Sequence, residues 1–169
     1  MSLSEPDGSL SLGEPQARSR SIVVAHGPNL NLLGQRQPAI YGHATLDDLV
    51  TLARARAEGY GYELTSYQSN SEADLVGLIH GLGPACRVLI LNAGALTHYS
   101  WAIADAIASK NIPTIELHIT NPAARESFRT ISVLAQVTSG SIAGFGSIGY
   151  ALAVDAAVLL DAKAGASHG

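Results

Sequence analysis

Apolar residues in this chain fall into short runs, separated by stretches in which they recur at helical intervals. Ser21-Ile-Val-Val-Ala25 is the first run, and Arg87-Val-Leu-Ile-Leu-Asn92 is the most continuous one. A run that is apolar at successive positions suits a parallel strand covered on both faces. Tyr62-Glu-Leu-Thr-Ser-Tyr67 alternates in character, 112–119 reads as a further strand, and Ser141-Ile-Ala-Gly144 as a short last one. Between the runs, helical spacing predicts helices over 45–58, over 72–82, from about Trp101 to Lys110, and over 147–162. In the first of these Leu46, Leu49, Val50, Leu52, Ala53 and Ala57 are assigned to one side. Thr45 before two aspartates is a helix start, while Gly59-Tyr-Gly61 and Gly83-Pro84 are stops.

Strand and helix read as alternating five times. That implies an α/β three-layer sandwich with helices on both faces of a parallel sheet. Five strands at this length predict the flavodoxin-like order 2-1-3-4-5. Ligand then binds beyond the carboxyl ends of strands one, three and four. The polar residues expected at that edge are Asn29, Arg36 and Tyr41 after strand one, Asn92 and His98 after strand three, and Glu116, His118 and Thr120 at the end of strand four. The stretch from His26 to Gly42 is too long for a tight turn, has glycines and prolines at its corners, and is the chain's main candidate for a functional loop.

Composition narrows the picture. The 169 residues are 47% hydrophobic and 14% charged, which fits one globular domain over 21–163. Residues 1–20, rich in Ser, Gly, Pro and Glu, are expected to form a mobile extension, and 164–169 a tail. A net charge of −4 argues against a nucleic-acid surface. No apolar run approaches the ~20 residues of a membrane span, and no secretory apolar segment stands at the N-terminus. Cys86 is the single cysteine, which fits a cytoplasmic setting. No spacing of histidines and acids suits a metal site. Gly144-Phe-Gly146-Ser-Ile-Gly149 matches a dinucleotide fingerprint in letters. The chain has no room for the further strand and acid that the fingerprint needs, so these glycines are expected to serve close helix–strand packing.

A longer constellation carries more. His26-Gly-Pro-Asn-Leu-Asn-Leu-Leu-Gly34, Arg36-Gln-Pro38, Tyr41-Gly42, Gln68-Ser-Asn70, Asn92-Ala-Gly-Ala95, Thr97-His98, Asp105-Ala106, Glu116-Leu-His118, Asn121, Ala124-Arg-Glu126 and Phe128-Arg129 follow one another in a set order over about Ile22 to Leu152. Together they resemble the type II 3-dehydroquinate dehydratases. The resemblance implies a flavodoxin-like homododecamer, a tetramer of trimers. Its members remove water from 3-dehydroquinate to give 3-dehydroshikimate, in the shikimate pathway, with no metal or organic cofactor.

That chemistry needs a base for the carbon 2 proton, a holder for the enolate and an acid for the leaving hydroxyl. By resemblance Tyr41 is the base. Ionising a phenol at neutral pH takes roughly 3 pK units, about 4 kcal/mol, and a neighbouring positive charge typically supplies about 1 to 3 of them. The resemblance puts Arg36 in that place, with Arg125 adding to it. His118 resembles the acid, and Glu116, two residues earlier on the same strand face, is placed to hold it. Asn29 resembles the residue that keeps a water beside the enolate oxygen. The backbone of Ile119 and Thr120, with the Thr120 hydroxyl, would receive the substrate carboxylate. Asn92, His98 and Arg129 would hold hydroxyls, and Asp105 would reach across a subunit boundary.

This chain departs from the family pattern in places. Thr120 stands where serine is usual, Asn92-Ala-Gly replaces Asn-Pro-Gly, Asn121-Pro-Ala-Ala replaces Asn-Ile-His-Ala, and Gln35 and Gln37 flank Arg36. These bear on affinity and loop motion more than on reaction type. Two other readings can be weighed. A Schiff-base dehydratase needs a lysine, and Lys110 and Lys163 both lie away from the expected site. A non-catalytic flavodoxin-like small-molecule binding domain would lack the acid and base. Its signalling and flavin-binding versions need acids or hydroxyl-rich loops that are not present here.

Overall fold

The first strand, β1 (Ser21–His26), pairs in parallel with β2 (Glu63–Gln68) on one side and β3 (Cys86–Asn92) on the other. In this computed structural model, which describes residues 20–35 and 43–166, β4 (Thr114–His118) and β5 (Gly140–Ala143) extend the sheet beyond β3. The order is β2-β1-β3-β4-β5, all parallel, as the alternation of elements implies. Among the described residues four helices cover it: α1 (Leu46–Glu58), α2 (Glu72–Gly81), α3 (Trp101–Ala108) and α4 (Ile148–Ala166). Helices α1 and α4 pack on each other on one face, and α2 and α3 on the other.

Three of these helices start where a side chain answers the unpaired amides of the first turn. Thr45 accepts from the Asp48 amide while the Asp48 carboxylate accepts from the Thr45 amide, a reciprocal capping box. Ser71 accepts from the Asp74 amide and Ser100 from the Ile103 amide. The strands bury both faces. Ile22, Val24, Val88, Ile90, Ile115 and Leu117 meet the α1/α4 layer, and Val23, Ala25, Leu89 and Leu91 meet α2 and α3.

Some expectations need correction. The crossover from β4 to β5 carries no α-helix. It is built from two 3₁₀ turns, Pro122–Ala124 and Ser127–Thr130, in a stretch with no apolar period. Strand β4 begins only after Pro113, later than expected. Helix α4 runs to Ala166, into the stretch read as a tail. In α1, Leu49, Val50, Ala53 and Ala57 are buried, but Leu52 is 40% exposed and belongs to the flank. The Gly144–Gly149 motif only partly serves close packing. A Cβ on Gly149 would lie 3.4 Å from Leu117, whereas Gly144 and Gly146 are there for their positive φ, in the turn that ends β5. The expected N-terminal extension lies outside the described residues except for Arg20, whose carbonyl accepts from the Glu63 amide at the start of β2.

Two features sit under the carboxyl edge of the sheet. A Cβ on Gly27 would stand 2.3 Å from the Ala93 carbonyl oxygen, so only glycine lets the turn after β1 cross the turn after β3. Just before it His26 is fully buried, with Nδ1 3.0 Å from the Tyr67 carbonyl and its ring stacked on Tyr150. Its Nε2 has no hydrogen-bond partner among the described residues. Burial, only partly opposed by the Tyr67 hydrogen bond, pulls this imidazole down to about 4. The unfolded chain, with an ordinary imidazole near 6.5, therefore binds the extra proton first as the pH falls. His26 contributes stability that is complete above pH ~6.5 and lost as the pH drops toward 4, up to about 3 kcal/mol. Urea melts between pH 4 and 7.5 should show this slope, and His26→Gln should flatten it. An equal slope in both proteins would contradict the assignment.

Candidate active site

The carboxyl ends of β1, β3 and β4 open onto a cleft holding about 610 Å³ of empty volume, open to solvent. Asn29, Asn92, His98, His118, Ile119, Thr120, Arg125 and Arg129 all line it, with Pro28 and Leu33 among the apolar walls. Residues from three separate connections meet there because the sheet order brings the ends of β1, β3 and β4 side by side. Arg36 and Tyr41 lie outside the described residues.

His118 ends β4. Its Nε2 is 2.7 Å from Oε1 of Glu116, two residues back on the same face of the strand. A carboxylate only accepts, so Nε2 carries a proton and Nδ1 is left as the ring's other polar atom. Glu116 itself is 2% exposed and stands behind the histidine, off the cleft. Burial pushes its carboxyl up, but the hydrogen bond from His118, those from Ser132 and Ser141, and the charge of His118 together outweigh burial and hold it below the ordinary range.

Asn29 has φ 67, a left-handed conformation that asparagine tolerates better than most residues. Its amide donates to Asn70 Oδ1 at 2.9 Å, and the same oxygen accepts from Gln68 Nε2, so the end of β2 holds the turn that presents Asn29. Asn92 is buried and its Oδ1 accepts from the Gly94 amide at 3.3 Å. His98 sits in the 3₁₀ turn Gly94–His98, with Nδ1 donating to the Ile131 carbonyl at 2.7 Å and its ring edge-on to Phe128. Arg129 stacks on Phe128 and pairs with Glu126 at 2.7 Å. Arg125 pairs with Glu126 at 3.4 Å, and its Nη1 reaches the Thr120 hydroxyl at 3.5 Å. The Glu126 carboxyl is held low by its own backbone amide and by Arg129. The departure from serine to threonine at 120 therefore keeps a hydroxyl in use at the cleft.

Asp105 does not line this cleft. It is exposed on α3, four residues from Trp101, which is 58% exposed on the same face. Lys110 lines a separate cavity with Pro84 and Arg87 at the amino end of the sheet, and Lys163 lies on α4, so neither reaches the cleft. Among the described residues no three His, Cys, Asp or Glu side chains are grouped to hold a metal ion. Among them, too, no helix is long and apolar enough to cross a membrane.

The stretch 130–134, just past the motif residues Phe128 and Arg129, carries no motif of its own. Its backbone meets the turn after β3 twice, through Val133 N to Thr97 O at 3.0 Å and through Ile131 O to His98. Ser132 from the same segment donates to Glu116 Oε1 at 2.8 Å, and Ser141 of β5 donates to Glu116 Oε2 at 3.1 Å. Strand register was the one available signal, since Ser141 is the residue that pairs with Glu116 across the two strands.

Residues 20–158 match the family model described as Dehydroquinase class II. The chain is 51% identical to the 3-dehydroquinate dehydratase 1 of Corynebacterium efficiens over 134 residues, 79% of this chain and 89% of that one. It is 52% identical to the 3-dehydroquinate dehydratase of Halalkalibacterium halodurans over 134 residues, 79% and 92% of the two chains. Its fold superposes on the crystal structure of the type II dehydroquinase from Butyrivibrio crossotus with a TM-score of 0.81 at 40% identity, covering 84% of this chain and 99% of the other.

Proposed function

The chain belongs to the class II dehydroquinase family, and from that premise we propose how its residues divide the work of the reaction. The reaction is the dehydration of 3-dehydroquinate to 3-dehydroshikimate, a step of the shikimate pathway run without a Schiff base. Tyr41, as phenolate, takes the proton from carbon 2. The electron pair left behind moves onto the ketone oxygen as an enolate, and Asn29 keeps a water beside that oxygen. His118 then gives a proton to the hydroxyl on carbon 1. The C–O bond breaks, water leaves, and the enolate electrons close the new double bond.

The observation that carries this reading is the His118–Glu116 pair, facing a cleft shared with Asn29, Asn92, Thr120 and two arginines. Arg36 and Arg125 favour the phenolate. Thr120 and the Ile119 backbone take the substrate carboxylate, with Asn92, His98 and Arg129 on its hydroxyls. The subunits form a homododecamer built from trimers, in which Asp105 reaches a neighbour's cleft. The exposed face of α3, with Trp101 beside Asp105, supports that contact. The single cysteine, a buried free thiol, supports a cytoplasmic setting.

A direct assay tests the function. Purified chain mixed with 3-dehydroquinate should produce the enone absorbance of the product, and borohydride added with substrate should leave the activity intact. Absence of the enone signal would favour the non-catalytic binding domain. The proposed part of Arg36 is tested by Arg36→Ala, which should keep the far-ultraviolet circular dichroism of the parent and lower kcat by at least about 10²-fold. Near-normal turnover would rule that part out.

A further inference from the structure

The Glu116 carboxylate has more donors than one histidine supplies. We propose that Ser132 and Ser141 are positioning residues for the acid, clamping Glu116 so that His118 is held ready to protonate the leaving hydroxyl. The proposal rests on the His118–Glu116 reading given above.

Its geometry is specific. Oε1 of Glu116 accepts from His118 at 2.7 Å and from Ser132 at 2.8 Å, and Oε2 accepts from Ser141 at 3.1 Å. The Ser132 hydroxyl also accepts from the Ala135 amide at 3.0 Å. An oxygen that receives an amide proton must aim its own hydrogen elsewhere, and here that is at Oε1. Both oxygens of a buried carboxylate are thus fixed from two segments outside its own strand, and the plane of the carboxylate sets the tilt of the imidazole. The charge of His118 acts on the Glu116 carboxylate in addition to the hydrogen bond between them. Neither serine lines the cleft. Their loss should therefore reach the acid step without touching substrate binding.

The segment that carries Ser132 also carries Arg129 and meets His98 through the Ile131 carbonyl. One stretch of chain thereby ties the acid to the groups proposed to hold substrate hydroxyls.

The test uses the full chain with 3-dehydroquinate in deuterated water. Steady-state rates give kcat and KM, and proton NMR of recovered substrate gives deuterium incorporation at carbon 2. Exchange needs only the base, whereas elimination also needs the acid. Ser132→Ala should lower kcat about tenfold with KM within about twofold, and raise the ratio of exchange to elimination by a similar factor. Ser132→Thr, which keeps the hydroxyl, should recover most of kcat. Ser141→Ala, on an exposed position of the edge strand, should act in the same direction by about threefold, and it carries the test if Ser132→Ala does not fold. An unchanged ratio in the serine variants, whether or not kcat falls, would overturn the proposal. Glu116→Gln separates the two layers. If it shifts the ratio while the serine variants do not, only the serine clamp is lost. If it leaves the ratio unchanged as well, the acid pair itself is wrong.

Discussion

Tyr41→Phe is expected to lower kcat by about 10³-fold or more while the protein folds as before. Phenylalanine differs from tyrosine by one hydroxyl and keeps the ring, so thermal unfolding should stay within a degree or two of the parent. General base catalysis typically contributes about 10²- to 10⁴-fold, and here the base attacks a carbon acid, which puts the expected loss toward the upper end. The variant should also fail to exchange the carbon 2 proton with deuterated solvent, because no group is left to take it. Substrate affinity should change little if the hydroxyl acts only on the reacting proton. Turnover within tenfold of the parent, or normal exchange, would remove Tyr41 from the mechanism.

His118→Asn should give the complementary result. It keeps a polar side chain of moderate size at the end of β4 but loses the imidazole that Glu116 holds at 2.7 Å. We expect kcat to fall by about 10²- to 10³-fold, KM to move by only a few-fold, and carbon 2 exchange to persist. Glu116 then keeps its two serine donors but loses the charge of its partner, so a modest loss of stability is expected as well. A raised KM with normal turnover at saturation would make His118 a binding residue instead of the acid.

Much of this arrangement could be read from residues alone. The sheet order follows from five short apolar runs with helical stretches between most of them, since parallel strands need covered crossovers and those have one hand. The pairing of Glu116 with His118 follows from the two-residue period of a strand. Other parts depend on contacts that local pattern does not encode. The crossover from β4 to β5 is held by 3₁₀ turns and side-chain bonds, and it has no apolar period to announce it. Ser132 reaches Glu116 across sixteen positions, and Ser141 across twenty-five. His26 is fully buried and donates to a carbonyl on the neighbouring strand, a contact that no local spacing announces. Leu52 of α1 is apolar yet sits on the flank, so the buried stripe is one residue narrower than apolar spacing implies.

The departures from the family pattern find mixed physical explanations. Thr120 keeps its hydroxyl against Arg125. Ala93, in place of proline, is fully buried beneath Gly27 in the crossing of two turns, so packing constrains a residue that lacks a proline ring. Asn121 caps its own turn through the Ala123 amide, which holds the segment in which a histidine is usual. Gln35 and Gln37 find no explanation in the described residues.

One small ring is expected to touch both Tyr41 and His118. The most direct measurement is a crystal structure of the full chain with a non-reactive cyclic carboxylate analogue of 3-dehydroquinate. The Tyr41 hydroxyl and His118 Nδ1 should both lie within about 3.5 Å of that one ring or its bridging waters, with the carboxylate against Thr120. Tyr41 and His118 facing separate cavities, with the ring in contact with only one of them, would contradict it.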